Sequence, residues 1–139
     1  MDEAAPSPAL TGGCLCGQLR YRIRNVRSAY WCHCGMCRRI SGSGALPWAS
    51  VERGDFEVTA GTPSAYGSSP GVTRLFCGRC GSPILFDMAR EDAVDVTIGT
   101  LDDPDRLVPT HHIWTQSALA MTQCLGAGLP HHAAEVEES

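Results

Sequence analysis

No run of lysine or arginine punctuates this chain: its 11 basic residues are scattered among 15 acidic ones, for a formal net charge of -4. Without a basic stripe nothing could neutralise a phosphate backbone, which excludes nucleic acid as the principal partner. No apolar stretch reaches membrane-spanning length, and the opening MDEAAPSPAL lacks the basic and apolar regions of a secretory signal. The sequence therefore reads as a soluble, cytoplasmic protein with no membrane partner. Long amphipathic periodicity of helical type is missing too, as are repeats of solenoid length. So are a Ser-His-Asp order, a phosphate-cradling glycine loop and an H-E-x-x-H helix, and the common catalytic templates go with them.

What is present suffices for one domain. The 139 residues are 43% hydrophobic and only 19% charged, enough to build a single core but not two. Residues 1–10 and 131–139 read as solvated tails, proline-containing at one end and glutamate-rich at the other, around a folded unit at 11–130. Between Gln18 and Arg24, apolar Leu19, Tyr21 and Ile23 alternate with polar neighbours, the period-2 pattern of a half-buried strand. Val94, Val96 and Ile98 alternate likewise against Asp95 and Thr97. Short apolar runs at Ala45–Val51, Phe56–Val58, Val72–Phe76 and Ile84–Phe86 bring the expected strands to six. Turn signals such as Gly61-Thr62-Pro63 and Asp102-Asp103-Pro104 separate them. One short helical turn is expected near Met36–Ile40, in an otherwise mainly β domain of short antiparallel strands.

Seven of the eight cysteines fall in three knots: Cys14-Leu15-Cys16, Cys32-His33-Cys34-Gly35-Met36-Cys37 and Cys77-Gly78-Arg79-Cys80. In a reducing compartment, clustered thiols are metal ligands or catalytic groups rather than disulfides. A C-x-x-C step on a tight turn lets two thiolates converge on a tetrahedral ion about 2.3 Å from each sulfur, and the glycines Gly35, Gly78 and Gly81 give the backbone room to bend. All-sulfur tetrahedral sites select zinc or iron, and the spacings match no ferredoxin pattern, which favours zinc. A closed structural site takes four ligands and leaves three, the number that gives zinc an open position. Spacing alone leaves open which four close the structural site, or whether two metals share one thiolate cluster.

Gly12-Gly13-Cys14-Leu15-Cys16-Gly17, the central cysteine knot with Arg38-Arg39, Phe76-Cys77-Gly78-Arg79-Cys80-Gly81-Ser82 and Gly99-Thr100-Leu101-Asp102-Asp103-Pro104 together resemble the glutathione-dependent formaldehyde-activating (GFA) family. The resemblance covers roughly Gly12 to Pro130 and implies a zinc-bearing β-tent fold. It further implies a structural zinc on Cys14, Cys16, Cys77 and Cys80, and an open, catalytic zinc on Cys32, Cys34 and Cys37. The implied activity is that of a carbon–sulfur lyase acting on a glutathione adduct such as S-hydroxymethylglutathione. Three thiolates leave the open centre with a net charge of about -1, a soft and weak Lewis acid suited to a thiolate substrate. At Gln116-Ser117-Ala118-Leu119-Ala120-Met121 the chain departs from the family, where a basic residue and a tryptophan are common.

Other residues have plainer readings. His33, between two ligands of an extended C-x-C, should point away from both sulfurs. Strand alternation would expose one of His111 and His112 and bury the other. Arg38 and Arg39 could engage a substrate carboxylate or simply face water. Ser41-Gly42-Ser43-Gly44 reads as a flexible turn, Trp31, Trp48 and Trp114 as core, and Cys124 as a packed or free thiol. Two rivals to a lyase remain at this level. One is a non-catalytic zinc-stabilised binding module whose second site is closed by His33 or Cys124. The other is a redox or metal-buffering protein working through Cys32, Cys34 and Cys37.

Overall fold

The computed structural model describes residues 8–125 and 128–136. Residues 1–7 and 137–139 of the expected tails lie outside the described residues. Ten strands and one α-helix follow in the order β1 Leu10–Gly13, β2 Arg20–Ile23, β3 Ser28–Cys32, α1 Gly35–Ser41, β4 Leu46–Glu52, β5 Phe56–Ala60, β6 Ser64–Ser69, β7 Val72–Phe76, β8 Pro83–Met88, β9 Ala93–Thr97 and β10 His111–Ile113. They make a three-stranded sheet, β1-β2-β5, and a seven-stranded one, β10-β3-β4-β9-β8-β7-β6. The fold is mainly β, as the alternation implied. The expectation of six strands was too low, for β1, β3, β6 and β10 carry no clean period-2 pattern. Nor is every pairing antiparallel: β10 lies parallel to β3, with Ile113 opposite Cys32.

The main core lies between the sheets. Tyr21 and Ile23 of β2 meet Ala49 and Val51 of β4, Leu85 of β8, and Val94 and Val96 of β9. Because side chains alternate across a strand, the residues between these point to the opposite face of the large sheet. That face carries Tyr30 and Cys32 of β3, Trp48 of β4, Asp95 of β9, Phe86 of β8 and Ile113 of β10, all lining one cavity. The polar half of the β9 alternation therefore faces a cavity rather than open solvent. Ile98 falls just past the strand, in a 3-10 turn, yet stays buried.

The helix α1 spans the expected position and is fastened at both ends. Cys34 is its N-cap, its Sγ accepting from the Cys37 N–H, and Gly42 ends it in the left-handed region with its N–H on the Arg38 carbonyl. Among the described residues no helix is long and apolar enough to cross a membrane.

Candidate metal centres and the cavity beside them

Two turns, one near the start of the sequence and one near its middle, close the first cysteine group. After β1, the chain turns through Cys14-Leu15-Cys16 into Gly17, whose φ of +82° is natural only to glycine and whose N–H returns to the Cys14 carbonyl at 3.1 Å. After β7, Cys77-Gly78-Arg79-Cys80 ends in Gly81 with φ +83°, its N–H on the Cys77 carbonyl at 2.8 Å. The turns meet, and Ser82 Oγ accepts from the Leu15 N–H at 3.0 Å across the junction. Gly78 has a different reason to be glycine, since a Cβ there would sit 2.4 Å from Ser64 Oγ. Gly35 meets neither demand: it has open space around it and opens the helix. The expectation that Gly35, Gly78 and Gly81 serve the bends therefore fails at Gly35, while Gly17, which was not among them, does serve one.

The sulfurs of Cys14, Cys16, Cys77 and Cys80 all lie within 4.8 Å of one another. Cys14 and Cys16 are 3.5 Å apart and Cys16 and Cys77 3.8 Å, against the roughly 3.8 Å that tetrahedral bonds of about 2.3 Å impose. The second group, Cys32, Cys34 and Cys37, meets the same limit, with Cys32 and Cys37 at 3.2 Å. Backbone N–H groups already donate to the sulfurs, Leu19 to Cys14 and Cys37 to Cys34, each at 3.2 Å. Such bonds favour thiolates.

Ionisation within each group is uneven. The Ser82 hydroxyl, 3.2 Å away, and nearby backbone groups pull the Cys80 thiol down to about 5. The Gln18 backbone would lower Cys16, but burial and the other three sulfurs push it to about 11. Burial raises Cys14, yet the Leu19 N–H together with Cys16 and Cys77 leaves it below its ordinary value. In the second group the Cys37 thiol lowers Cys32, while Cys32 and burial raise Cys37. Sulfurs this close cannot all carry charge unless a cation offsets their repulsion, so both donor sets fit a soft divalent ion such as zinc.

The two groups differ in what surrounds them. The four-sulfur group fills tetrahedral coordination. The three-sulfur group forms one wall of a cavity of about 580 Å³, within the range of small-molecule sites. Its apolar walls are Trp48, Phe86, Ile113 and Trp114. Arg39 and Asp95 are the charged side chains that reach it. Burial raises the Asp95 carboxyl, partly offset by the Tyr30 and Ser50 hydroxyls beside it. Tyr30 is raised as well, by burial and by that carboxylate. Behind Phe86 the buried Arg74 stacks on its ring at 4.8 Å and donates to Ser68 Oγ at 3.2 Å. Sequence reasoning missed Asp95, Tyr30 and Phe86. The only available signal was a carboxylate alternating with buried valines, which looks the same whether it faces water or a cavity.

Neither proposed fourth ligand joins the three sulfurs. His33 is buried and turns its Nε2 to His112 Nδ1 at 2.9 Å, and its own Nδ1 has no partner among the described residues. Cys124 is exposed and belongs to neither group. His111 and His112 are both exposed, against the alternation expected of them, because β10 is a three-residue edge strand with little packed outside it. Trp48 is core, as expected, and also lines the cavity; Trp114 is 56% exposed and belongs to the cavity alone.

No curated protein sequence matches the chain. A crystal structure of a protein from Rhodobacter sphaeroides superposes with a TM-score of 0.60 at 21% identity, over 73% of this chain and 98% of that one, a likeness of fold. Residues 9–117, which span both cysteine groups and the cavity, match the family model described as glutathione-dependent formaldehyde-activating enzyme, and the chain belongs to that family.

Proposed function

We infer that the protein is a zinc-dependent carbon–sulfur lyase whose reaction takes place in the cavity beside Cys32, Cys34 and Cys37. In the synthetic direction the sulfur of a small thiol, glutathione being the abundant one, adds to formaldehyde; in reverse the adduct splits. The observation that carries this reading is the count of donors at the cavity wall: three sulfurs, with neither His33 nor Cys124 placed to supply a fourth. Zinc held there would have one position left, would lower the pKa of an incoming thiol and would fix its sulfur. Cys14, Cys16, Cys77 and Cys80 hold the structural ion.

The remaining work falls to the chain's own side chains. Trp48, Phe86, Ile113 and Trp114 exclude water from the reacting sulfur and carbon. As the S–C bond forms, the carbonyl π pair moves to oxygen, which takes a proton. Asp95, whose buried carboxyl stays protonated to higher pH than an exposed one, is the residue that can hold that proton, with Tyr30 beside it. Splitting the adduct returns the proton to the same carboxylate.

Zinc stoichiometry and thiol–formaldehyde turnover, measured on wild type and Cys34→Ser, test the reading. Two zincs per chain falling to one, with turnover lost and the fold intact, is the expected result. A single zinc in wild type, lost together with the fold in the variant, would replace the lyase with a closed, non-catalytic module.

A further inference from the structure

A second cavity, of about 430 Å³, adjoins α1 and is lined by Arg38, Arg39, Gly42, Ser43, Gly44, Leu119 and Met121. Arg39 also lines the cavity beside the three sulfurs, so one residue borders both. All 11 basic residues of the chain are arginines. Arg20, Arg22, Arg27, Arg53 and Arg90 pair with carboxylates, and Arg74 is buried against Phe86. Arg38 and Arg39, like Arg24, Arg79 and Arg106, have no carboxylate within 4 Å among the described residues, but only they stand beside the three-sulfur group. No acidic residue lines the second cavity either.

Building on the lyase reading of the neighbouring site, we propose that this second cavity is a carboxylate subsite, which selects thiols carrying an acidic group. Arg39 and Arg38 are its specificity residues. Guanidinium groups match a carboxylate through two parallel N–H donors, and the pair keeps that capacity unspent. The last turn of a helix carries only about half a negative charge, which two full positive charges outweigh. The reach also fits. Arg39 stands five residues past the Cys34 cap, about 7.5 Å along the helix axis, whereas an extended tripeptide spans up to about 10 Å. The cysteine of a thiol tripeptide such as glutathione is its middle residue, so each arm covers roughly half of that span, and the long Arg39 side chain reaches back to meet the terminal carboxylate. Gly44 lets the far wall close in, since a Cβ there would lie 2.7 Å from the Met121 Cε. The segment Gln116–Met121 thus supplies Leu119 and Met121 to this cavity, while both charges come from α1.

The test compares glutathione with its diethyl ester, in which both carboxylates are blocked, on wild type, Arg39→Gln and Arg38→Gln/Arg39→Gln. Binding is read from the thiolate-to-metal absorption of the cobalt-substituted protein, and turnover from formaldehyde consumption. Wild type should bind glutathione at least about tenfold more tightly than the ester, the range of one charged hydrogen bond. Both variants should lose that margin, through glutathione alone, with KM rather than kcat carrying the change. Equal affinity of wild type for the two thiols, or the same loss for both in the variants, overturns the subsite while leaving the metal reading standing. No spectral response to either thiol overturns the open-site reading itself, and the subsite with it.

Discussion

At the scale of single residues, two non-glycine positions among the described residues take a positive φ: Asn25, a residue type that tolerates it, and Trp114, which borders the cavity. Trp114 has φ +58° and ψ +37°, a left-handed conformation that costs an L-residue about 1–2 kcal/mol, and its indole is more than half exposed at the cavity edge. A core tryptophan would repay that strain by burial; this one, so exposed, does not, and on the lyase reading its ring would cover the bound thiol. Trp114→Gly should relieve it while giving back about 0.4–1 kcal/mol of unfolded-state entropy. Urea unfolding of the variant should then lie within about 1 kcal/mol of wild type, while KM for the thiol rises several-fold. A loss of stability above that bound, with KM unchanged, would make Trp114 a packing residue.

At the scale of elements, the small sheet is tied to the chain beyond β9 by one polar knot. Arg20 of β2 pairs with Asp102, Thr11 Oγ1 of β1 donates to the same carboxylate at 2.7 Å, and Gly12 bridges Leu101. Arg20 first and Thr11 second hold the Asp102 carboxyl down at about 2. An unfolded aspartate titrates near 3.9, so the knot's contribution is complete above about pH 4 and is lost as pH falls towards 2. With side chains 37% and 47% exposed, screening keeps that contribution to no more than about 1 kcal/mol. Asp102→Asn should therefore match the acid sensitivity of wild type except for a small gap in urea midpoint at neutral pH, which closes between pH 4 and 2. Acid release of metal is common to both proteins and cancels in the difference. A gap that stays constant down to pH 2 would show that the carboxylate's charge is not what matters.

The same scale shows why part of the fold was legible and part was not. Strands β2, β4, β5, β7, β8 and β9 carry alternating or apolar runs, which sequence periodicity reports. Strand β1 is Leu-Thr-Gly-Gly and β6 has turn composition, so neither has an apolar face of its own. In β3 the strand merges into the cysteine knot, and β10 pairs with it across a separation of about 80 residues that leaves no local trace. Likewise, the cysteine knots were visible in the spacing, but their partition into four and three depends on two turns 61 residues apart coming together.

For the whole molecule, that partition sets what a metal held by each group would do for stability. An ion on the first group closes a loop of 61 residues between Cys16 and Cys77 and joins the small sheet's edge to the β7–β8 turn of the large one. By the cross-link entropy argument, closing such a loop is worth about 4 kcal/mol. The second group closes only the 5 residues from Cys32 to Cys37, worth about 2 kcal/mol on the same scale, within a strand and helix already fastened by the Cys34 cap. The apolar contacts of Tyr21, Ile23, Val51, Val94 and Val96 span the same two sheets and persist without metal. Removing the first ion should therefore loosen the sheet junction rather than erase β structure. In zinc-loaded protein, Cys77→Ser should lose roughly twice the unfolding free energy that Cys34→Ser loses, while far-ultraviolet dichroism of both stays β-like. Equal losses would mean that the apolar core alone joins the sheets, and a larger loss in Cys34→Ser would exchange the structural and open roles of the two centres.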